Sequence, residues 1–178
     1  MLATTTALCV GTIFAAITLG RGVHRSMNLG FSRMGADLMV VPRDTLVNLT
    51  PALLTAEPTP HTLAATTTDE VAAIAGVEKV APQRSVRITI LEQGHQLDTD
   101  VVVFDPDRDF TVLPWIRDKL ERPLRDGDVL VGGRREETLG QEFTLGGKTV
   151  TVYARLALTG VGAFDRACFV SFRTAATL

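Results

Sequence analysis

Three aspartates at alternate positions are the side chains in this sequence whose type and spacing could hold a metal ion. They are Asp105, Asp107 and Asp109. A calcium loop of the EF-hand type also needs Gly at its sixth position and Glu at its twelfth, where this chain has Phe110 and Ile116. Arg108 lies between the acids and would repel a cation. We therefore predict that Asp105 and Asp109 cap turns or the start of the following helix.

Two glycine-rich stretches resemble phosphate-binding loops only in part. Gly132-Gly133 is followed by arginines rather than by Gly-Lys-Ser/Thr, and Gly160-Val161-Gly162 does not complete a dinucleotide fingerprint. Both are predicted to be turns. The mixed-charge run of residues 134–137, Arg-Arg-Glu-Glu, is typical of a solvated face.

The residues that most often bind zinc or act as nucleophiles are few and far apart. They are His24, His61, His95, Cys9 and Cys168. Zinc needs about four ligands, and no histidine stands in a nucleophile motif. The sequence therefore predicts no catalytic residue, no cofactor and no metal site, and it assigns no partner-binding residue. We expect a protein that is not an enzyme.

Composition restricts the class of protein further. The 178 residues carry a formal net charge of −2, and 46% of them are apolar, which excludes a disordered chain. Aromatic residues make up only 6% of the chain, and there is no basic excess. We therefore expect no nucleic-acid partner.

The N-terminal segment is the most hydrophobic part of the chain. Residues 1–20 contain no charged residue, and about 20 helical residues just span a bilayer. Scattered threonines are compatible with a membrane helix, because their hydroxyls can bond to a carbonyl of the preceding turn. We favour a transmembrane helix over two alternatives. A signal peptide would carry a basic flank before the apolar run, and a buried soluble helix would show a polar stripe.

The charged residues beside this helix predict how it is oriented in the membrane. Arg21, Arg25 and Arg33 follow the apolar run, and no basic residue precedes it. If Met1 is the true start, the positive-inside rule places the rest of the chain in the cytoplasm. If a basic segment before Met1 has been cropped, the rule no longer requires this orientation, and the question stays open. Residues 21–34 have helical spacing and are predicted to extend the helix as an amphipathic segment.

The remaining sequence predicts an α+β fold. A buried strand is expected at 38–41, and a Pro/Thr-rich irregular segment with eight threonines at 43–68. Further predicted elements are a helix at 68–76, strands at 85–91 and 101–104, a helix starting at Pro114, a strand at 128–131, a hairpin around Gly146-Gly147 and a last strand at 168–172. The domains are then 1–34, the membrane helix with its extension, and 35–178, which includes a small antiparallel β subdomain at about 124–165.

Several of these segments, taken in order, resemble one known family. They are Gly-Ala-Asp-Leu-Met-Val-Val-Pro at 35–42, Ala-Leu-Leu-Thr-Ala-Glu-Pro at 52–58, Gly-Val-Glu-Lys-Val-Ala-Pro-Gln at 76–83, Phe-Asp-Pro at 104–106, Asp-Phe at 109–110 and Leu-Pro-Trp at 113–115. The sequence resembles the first transmembrane helix and extracytoplasmic core domain of an FtsX/MacB-type ABC transporter permease.

The resemblance implies a mechanical role at the cell (inner) membrane. A cytoplasmic ATPase would drive a permease dimer, and the first helix would relay the movement outward. The extracytoplasmic domain would act on a protein, peptide or lipid substrate, for export, lipoprotein handling or mechanotransmission. We expect partner contacts at the hairpin of residues 143–156 and at the segment 43–68, since exposed loops on a rigid scaffold usually carry binding.

The chain departs from the family in two respects. The family has three more transmembrane helices and an ATPase-contacting loop, whereas this sequence stops at Leu178. The chain is therefore expected to be a crop, a truncated gene product or a split subunit. The alternative functions are a stand-alone, membrane-tethered binding or adaptor domain and a secreted hydrolase using His61 or His95.

Overall fold

The computed structural model describes residues 10–21, 35–42, 62–92 and 95–178. The chain divides into two compact units, Met1–Asp37 and Leu38–Leu178. The predicted membrane helix begins before the first described residue. Residues 22–34 of its predicted extension, which was expected over 21–34, lie outside the described residues. Residues 43–61 of the Pro/Thr-rich segment also lie outside them.

The described part of the first unit is a helix, α1, over residues 10–21. Its large apolar side chains are at least half exposed: Val10, Ile13, Phe14, Ile17 and Leu19. The Thr18 hydroxyl donates to the Phe14 carbonyl at 2.8 Å, which confirms the predicted back-bonding of a threonine in this run. Within the described ranges, no helix combines the length and the apolar content that crossing a membrane requires.

The second unit is built on one seven-stranded sheet. Its strands are β1 (Gln83–Glu92), β2 (His95–Phe104), β3 (Ile116–Lys119), β4 (Asp128–Val131), β5 (Glu142–Leu145), β6 (Lys148–Leu156) and β7 (Cys168–Ser171). Three short helices accompany them: α2 (Thr67–Ala72), α3 (Gly162–Arg166) and α4 (Phe172–Ala175). A single 3-10 turn, Leu113–Trp115, precedes β3.

The sheet is mixed, with the order β1-β2-β7-β4-β6-β3 and with β5 paired to β6. The pairs β2–β7 and β4–β6 are parallel, and the remaining pairs are antiparallel. The predicted combination of helices and strands in one α/β unit is confirmed in this coarse form. The strand order depends on pairing between strands that are distant in sequence, since β7, the last strand of the chain, lies between β2 and β4.

The core consists of two apolar layers, one on each face of the sheet, because successive side chains of a strand point to opposite faces. One layer includes Val102, Phe104, Leu130, Leu156 and Phe169, and we call this the covered face. The other includes Val101, Val103, Val129, Cys168 and Val170, and we call this the groove face. The central strands are apolar on both faces, which is typical of strands buried on both sides.

Two local predictions on the strands are confirmed. Strand β4 covers Asp128–Val131 as predicted. The Gly146-Gly147 turn joins β5 to β6, and both glycines have positive φ, 57° and 82°. Such a two-residue turn favours glycine because other residues rarely adopt this conformation.

The predicted antiparallel β subdomain at 124–165 is wrong in its details. Its strands β4, β5 and β6 belong to the same sheet as β1, β2 and β7. Moreover, β4 runs parallel to β6. The glycine turn identified the local hairpin correctly, but the sequence does not show that β4 pairs with β7 on its other side.

Two further elements differ from their predictions. The helix expected from Pro114 is one 3-10 turn, after which Ile116 adopts extended angles and begins the edge strand β3. The segment 38–41 is not assigned to a strand, and Leu38 is 86% exposed. Its apolar run has strand propensity, yet none of the strand pairs in the described sheet includes it, so it gains no burial from the sheet.

Candidate functional site

An open groove of about 670 Å³ lies on the groove face beside β1 and α4. Its apolar floor and walls consist of Val86, Ile88, Val101, Val103, Ala175 and Leu178. Arg84 and Phe172 also line the groove, and Gly146 lies near Ile88 and Leu178 at one end. Among the described residues that line the groove, none has an acidic side chain.

The antiparallel register of β1 and β2 positions the floor of the groove. Arg84 pairs with Val103, and Val86 pairs with Val101. Because alternate residues share a face, Arg84, Val86 and Ile88 lie on one side of β1. Val101 and Val103 lie beside them on the same face of β2 and are buried as part of the core. The part of the floor that stays accessible is therefore formed by the partly buried Val86 and Ile88, beside a fully buried core.

Helix α4 forms the opposite wall and is fixed to the sheet by hydroxyl groups. The Ser171 hydroxyl caps the helix by accepting from the Thr174 N–H at 3.1 Å. The Thr174 hydroxyl accepts from the Gly127 N–H at 3.1 Å, and Thr174 is buried. Phe172, in contrast, is 41% exposed at the rim. The wall is held in place without Phe172 being buried.

The charge of the groove comes from its arginines. Arg87 donates to the Asp100 carboxylate at 2.9 Å, so its charge is compensated. Arg84 is exposed, and in the described part of the chain it has neither a hydrogen bond nor an ion pair. The groove therefore combines an apolar floor with the guanidinium group of Arg84, for which the described residues supply no counter-charge.

A second polar cluster joins the segment before β4 to the sheet. Arg122 donates to both oxygens of Asp128, at 2.7 and 2.6 Å, and Asp128 is only 4% exposed. The Tyr153 hydroxyl donates to the Arg122 carbonyl at 2.8 Å, and the Arg122 guanidinium lies 5.4 Å from the centre of the Tyr153 ring. The hydrogen bond to Asp128 raises the pKa of Arg122. This cluster is a structural clamp with all its groups engaged.

Only two of the four residues in the run 134–137 are solvent-exposed as predicted. Arg135 and Glu137 form an ion pair in which the side chains are 13% and 11% exposed. Arg155 donates to the carbonyls of Arg135 and Glu137, and the Arg135 guanidinium lies 5.8 Å from the Phe143 ring. The prediction of a solvated face is wrong for these two residues, because β6 supplies partners from a distant part of the sequence.

The acidic loop after β2 behaves as predicted. The Asp105 carboxylate accepts from the Asp107 N–H at 3.1 Å. The Asp109 carboxylate accepts from the N–H groups of Thr111, Val112 and Leu113, at 2.7 to 3.1 Å. These carboxylates satisfy the backbone of their own turns.

The Gly132-Gly133 stretch packs closely against neighbouring backbone segments. A Cβ at Gly132 would overlap the backbone of Phe164 and Asp165. Asp165 is 1% exposed, and its carboxylate accepts from the N–H and hydroxyl of Thr159, both at 2.8 Å. Residues 132–133 therefore form a packed turn beside this buried aspartate, as predicted. The turn prediction for 160–162 is wrong in part, because Gly162 begins α3 and Gly160 has open space around it.

The residues that could bind metal or act as nucleophiles do not meet in the described structure. Within the described ranges, no three His, Cys, Asp or Glu side chains are grouped to hold a metal ion. His24, His61 and Cys9 lie outside the described residues, and His95 is the first residue of β2. Cys168 is a free, fully buried thiol, and burial raises its pKa to about 12.

The groove itself was missed by the sequence-based prediction. Alternation at residues 85–91 correctly indicated a strand, and Arg84 follows the same alternation. No pattern in the sequence indicates that the cover of one sheet face is incomplete at β1.

Comparison with known proteins identifies the family. A family model described as the MacB-like periplasmic core domain matches residues 1–178. The chain belongs to this family. It is the periplasmic core domain of a MacB/FtsX-like ABC transporter, as the sequence resemblance implied.

One solved structure is similar to part of this chain. The extracellular domain of the noncanonic ABC-type transporter YknZ from Gram-positive bacteria is 17% identical to this chain. The match covers 70% of this chain and 69% of that one, with a TM-score of 0.48. A comparison with curated protein sequences finds no match.

Proposed function

We propose that this MacB-like core domain is the N-terminal portion of a permease subunit that relays ATPase-driven movement to the extracytoplasmic side. The observation that carries the proposal is the family match over residues 1–178. The domain would work as a rigid body, since its central strands are buried on both faces. It would serve export, lipoprotein handling or mechanotransmission. ATP hydrolysis would reside in a separate cytoplasmic subunit, so this chain is not an enzyme.

We place the N-terminal run, including α1, in the cell (inner) membrane, with the sheet on the extracytoplasmic side. The exposed apolar side chains of α1 and the Thr18 hydroxyl bonded within the helix support this placement. The partners would be the ATPase, a second permease copy and an extracytoplasmic protein, peptide or lipid substrate. The hairpin of residues 143–156 and the segment 43–68 remain proposed contacts.

A charge placed in α1 tests the membrane anchor. Arginine at the centre of a membrane helix costs about 2.5 to 3.5 kcal/mol on insertion scales. We expect Ile13→Arg to shift the full chain out of the membrane fraction, whereas Ile13→Leu stays there. Equal membrane retention of both variants would contradict the anchor. The fold of the sheet, followed by circular dichroism, is expected to be the same in both.

The permease role is tested by the mass of the gene product and by the proteins that co-purify with it. An antibody against residues 69–178 is used on isolated membranes, followed by affinity purification under mild detergent. We expect a band of about twice the 19.2 kDa of this chain, together with a co-purified ATP-hydrolysing subunit. A 19.2 kDa membrane band without an ATPase would instead support a stand-alone tethered adaptor. Cleavage near residue 20 with release from the membrane would favour a secreted protein.

A further inference from the structure

The groove on the groove face has two properties that together specify a ligand. Its floor is apolar, with Val86, Ile88 and Val101 along β1 and β2. Arg84 contributes a guanidinium group that has no partner in the part of the chain that the structure describes. Apolar surface favours a hydrocarbon chain, and an uncompensated guanidinium favours an anion.

The size of the groove favours a small molecule over a protein. Small-molecule sites commonly measure about 300 to 1,000 Å³, and this groove measures about 670 Å³. A stable protein partner usually buries on the order of 800 Å² on each side. One small ligand therefore suits the groove better than a folded partner.

We propose that the groove binds a single-chain aliphatic carboxylate. The carboxylate pairs with Arg84, because the planar guanidinium matches a carboxylate with two parallel hydrogen bonds. Arg84, which has no ion-pair partner among the described residues, balances one negative charge. The hydrocarbon chain lies along Val86 and Ile88 toward Gly146, which is close to both Ile88 and Leu178. This binding site is independent of whether the chain couples to an ATPase.

The length of the floor defines the probe. From Arg84 to Ile88, β1 rises on the order of 13 Å. An extended decanoate chain has a similar length. Decanoate kept below its critical micelle concentration is therefore a suitable ligand, with decanol as the neutral control of equal chain length.

The test uses the full chain in phosphatidylcholine nanodiscs, with labelled Ile, Leu and Val methyl groups observed by NMR. Empty nanodiscs give the partition of decanoate into the lipid. We expect the methyl signals of Val86, Ile88 and Leu178 to shift with saturable dependence on decanoate. The methyl signals of Leu130 and Leu156, on the covered face, are the internal control and are expected to stay unchanged.

Two arginine variants distinguish a specific contact between Arg84 and the carboxylate from general electrostatic attraction of decanoate to the protein. Arg84 lies on the edge strand β1, and Arg117 is an exposed arginine on the other edge strand, β3. We expect Arg84→Gln to weaken decanoate binding about fivefold to tenfold and Arg117→Gln to weaken it less than about twofold. Decanol is expected to bind wild-type protein as weakly as decanoate binds Arg84→Gln.

Four results would overturn the proposal. They are an absence of shifts at the groove, equal shifts on both faces, equal affinity of decanol and decanoate, and unchanged binding by Arg84→Gln. A decapeptide of alternating Leu and Glu is added as a competitor. If it shifts the same methyl signals at lower concentration than decanoate, an acidic peptide replaces the small carboxylate as the occupant.

Discussion

The two faces of the sheet have similar apolar layers but differ in what lies over them. On the covered face, the layer is packed by Leu113, Trp115, Ile116, Leu120, Leu124 and Phe164. On the groove face, the packing residues are Val86, Ile88, Phe143, Ala175 and Leu178. Both core layers are buried, and the surface available to a ligand on the groove face is that of the partly buried packing residues Val86 and Ile88.

Polar contacts explain why the cover of the first face stays in place. Asp109 accepts three backbone N–H groups at the start of the covering segment. The Arg122–Asp128 pair and the Tyr153 hydroxyl fix the segment near β4. On the groove face, α4 is fixed by Thr174, while Phe172 stays exposed at the rim.

The largest effect is expected from Phe169→Ala on the covered face. Phe169 is fully buried, and its ring centre lies 5.7 Å from that of Phe164. Removing the ring leaves a cavity and is expected to cost about 3 to 5 kcal/mol in the free energy of unfolding, measured by urea denaturation. A loss below about 1 kcal/mol would contradict the close packing of this face.

The clamp at β4 is expected to rank second. Asp128→Ala removes the buried acceptor of the partly exposed Arg122 side chain and of the Arg125 N–H, which is expected to cost about 1 to 3 kcal/mol. Asp118→Ala is the matched control, because its ion pair with Arg117 is at least half exposed on both sides. We expect the control to change stability by less than about 0.5 kcal/mol. Similar losses in the two variants would show that the clamp contributes no special stability.

Because of Cys168 on the groove face, the free energy of unfolding is expected to depend on pH in the alkaline range. Burial raises its pKa to about 12, whereas an unfolded thiol has a pKa of about 8.5. The contribution to stability is therefore complete below about pH 8.5 and is lost as pH rises toward 12.

The pH dependence is measured in a Cys9→Ser background by denaturation at each pH. Relative to Cys168→Ala in the same background, we expect stability to fall by about 1 to 2 kcal/mol between about pH 8 and about pH 10. Parallel curves for the two proteins would mean that the thiol ionises without cost and is not buried.

The smallest effect is expected at the rim of the groove. Phe172 is 41% exposed, so Phe172→Ala is expected to cost less than about 1 kcal/mol in the free energy of unfolding. The comparison with Phe169→Ala, three residues earlier in the chain, uses the same substitution on the two faces. Equal losses would show that the groove face is covered as fully as the other.

Local patterns in the sequence predicted much of the fold. The Gly146-Gly147 turn, the bounds of β4 and the capping by Asp109 depend on neighbouring residues, and all three were predicted. The family was also identified from the order of short segments. These features are visible in sequence because each involves contacts within a few residues.

Features that depend on distant contacts were not predictable. The insertion of β7 between β2 and β4, the pairing of Ile116–Lys119 with β6 and the partial burial of Arg135 all need partners far away in sequence. The groove depends on what lies above β1, and the same alternating pattern would suit a fully covered strand. The alternation therefore predicts the strand but not the site.

The most direct test of an open groove on an extracytoplasmic domain is the labelling of a cysteine at its rim in intact cells. The parent is the full chain with Cys9→Ser, in which the buried Cys168 remains. We expect Phe172→Cys in this background to react with a membrane-impermeant maleimide, and the parent to stay unlabelled. Labelling only after the membrane is disrupted would contradict the extracytoplasmic placement. No labelling even then, with reaction restored by urea, would contradict the open groove.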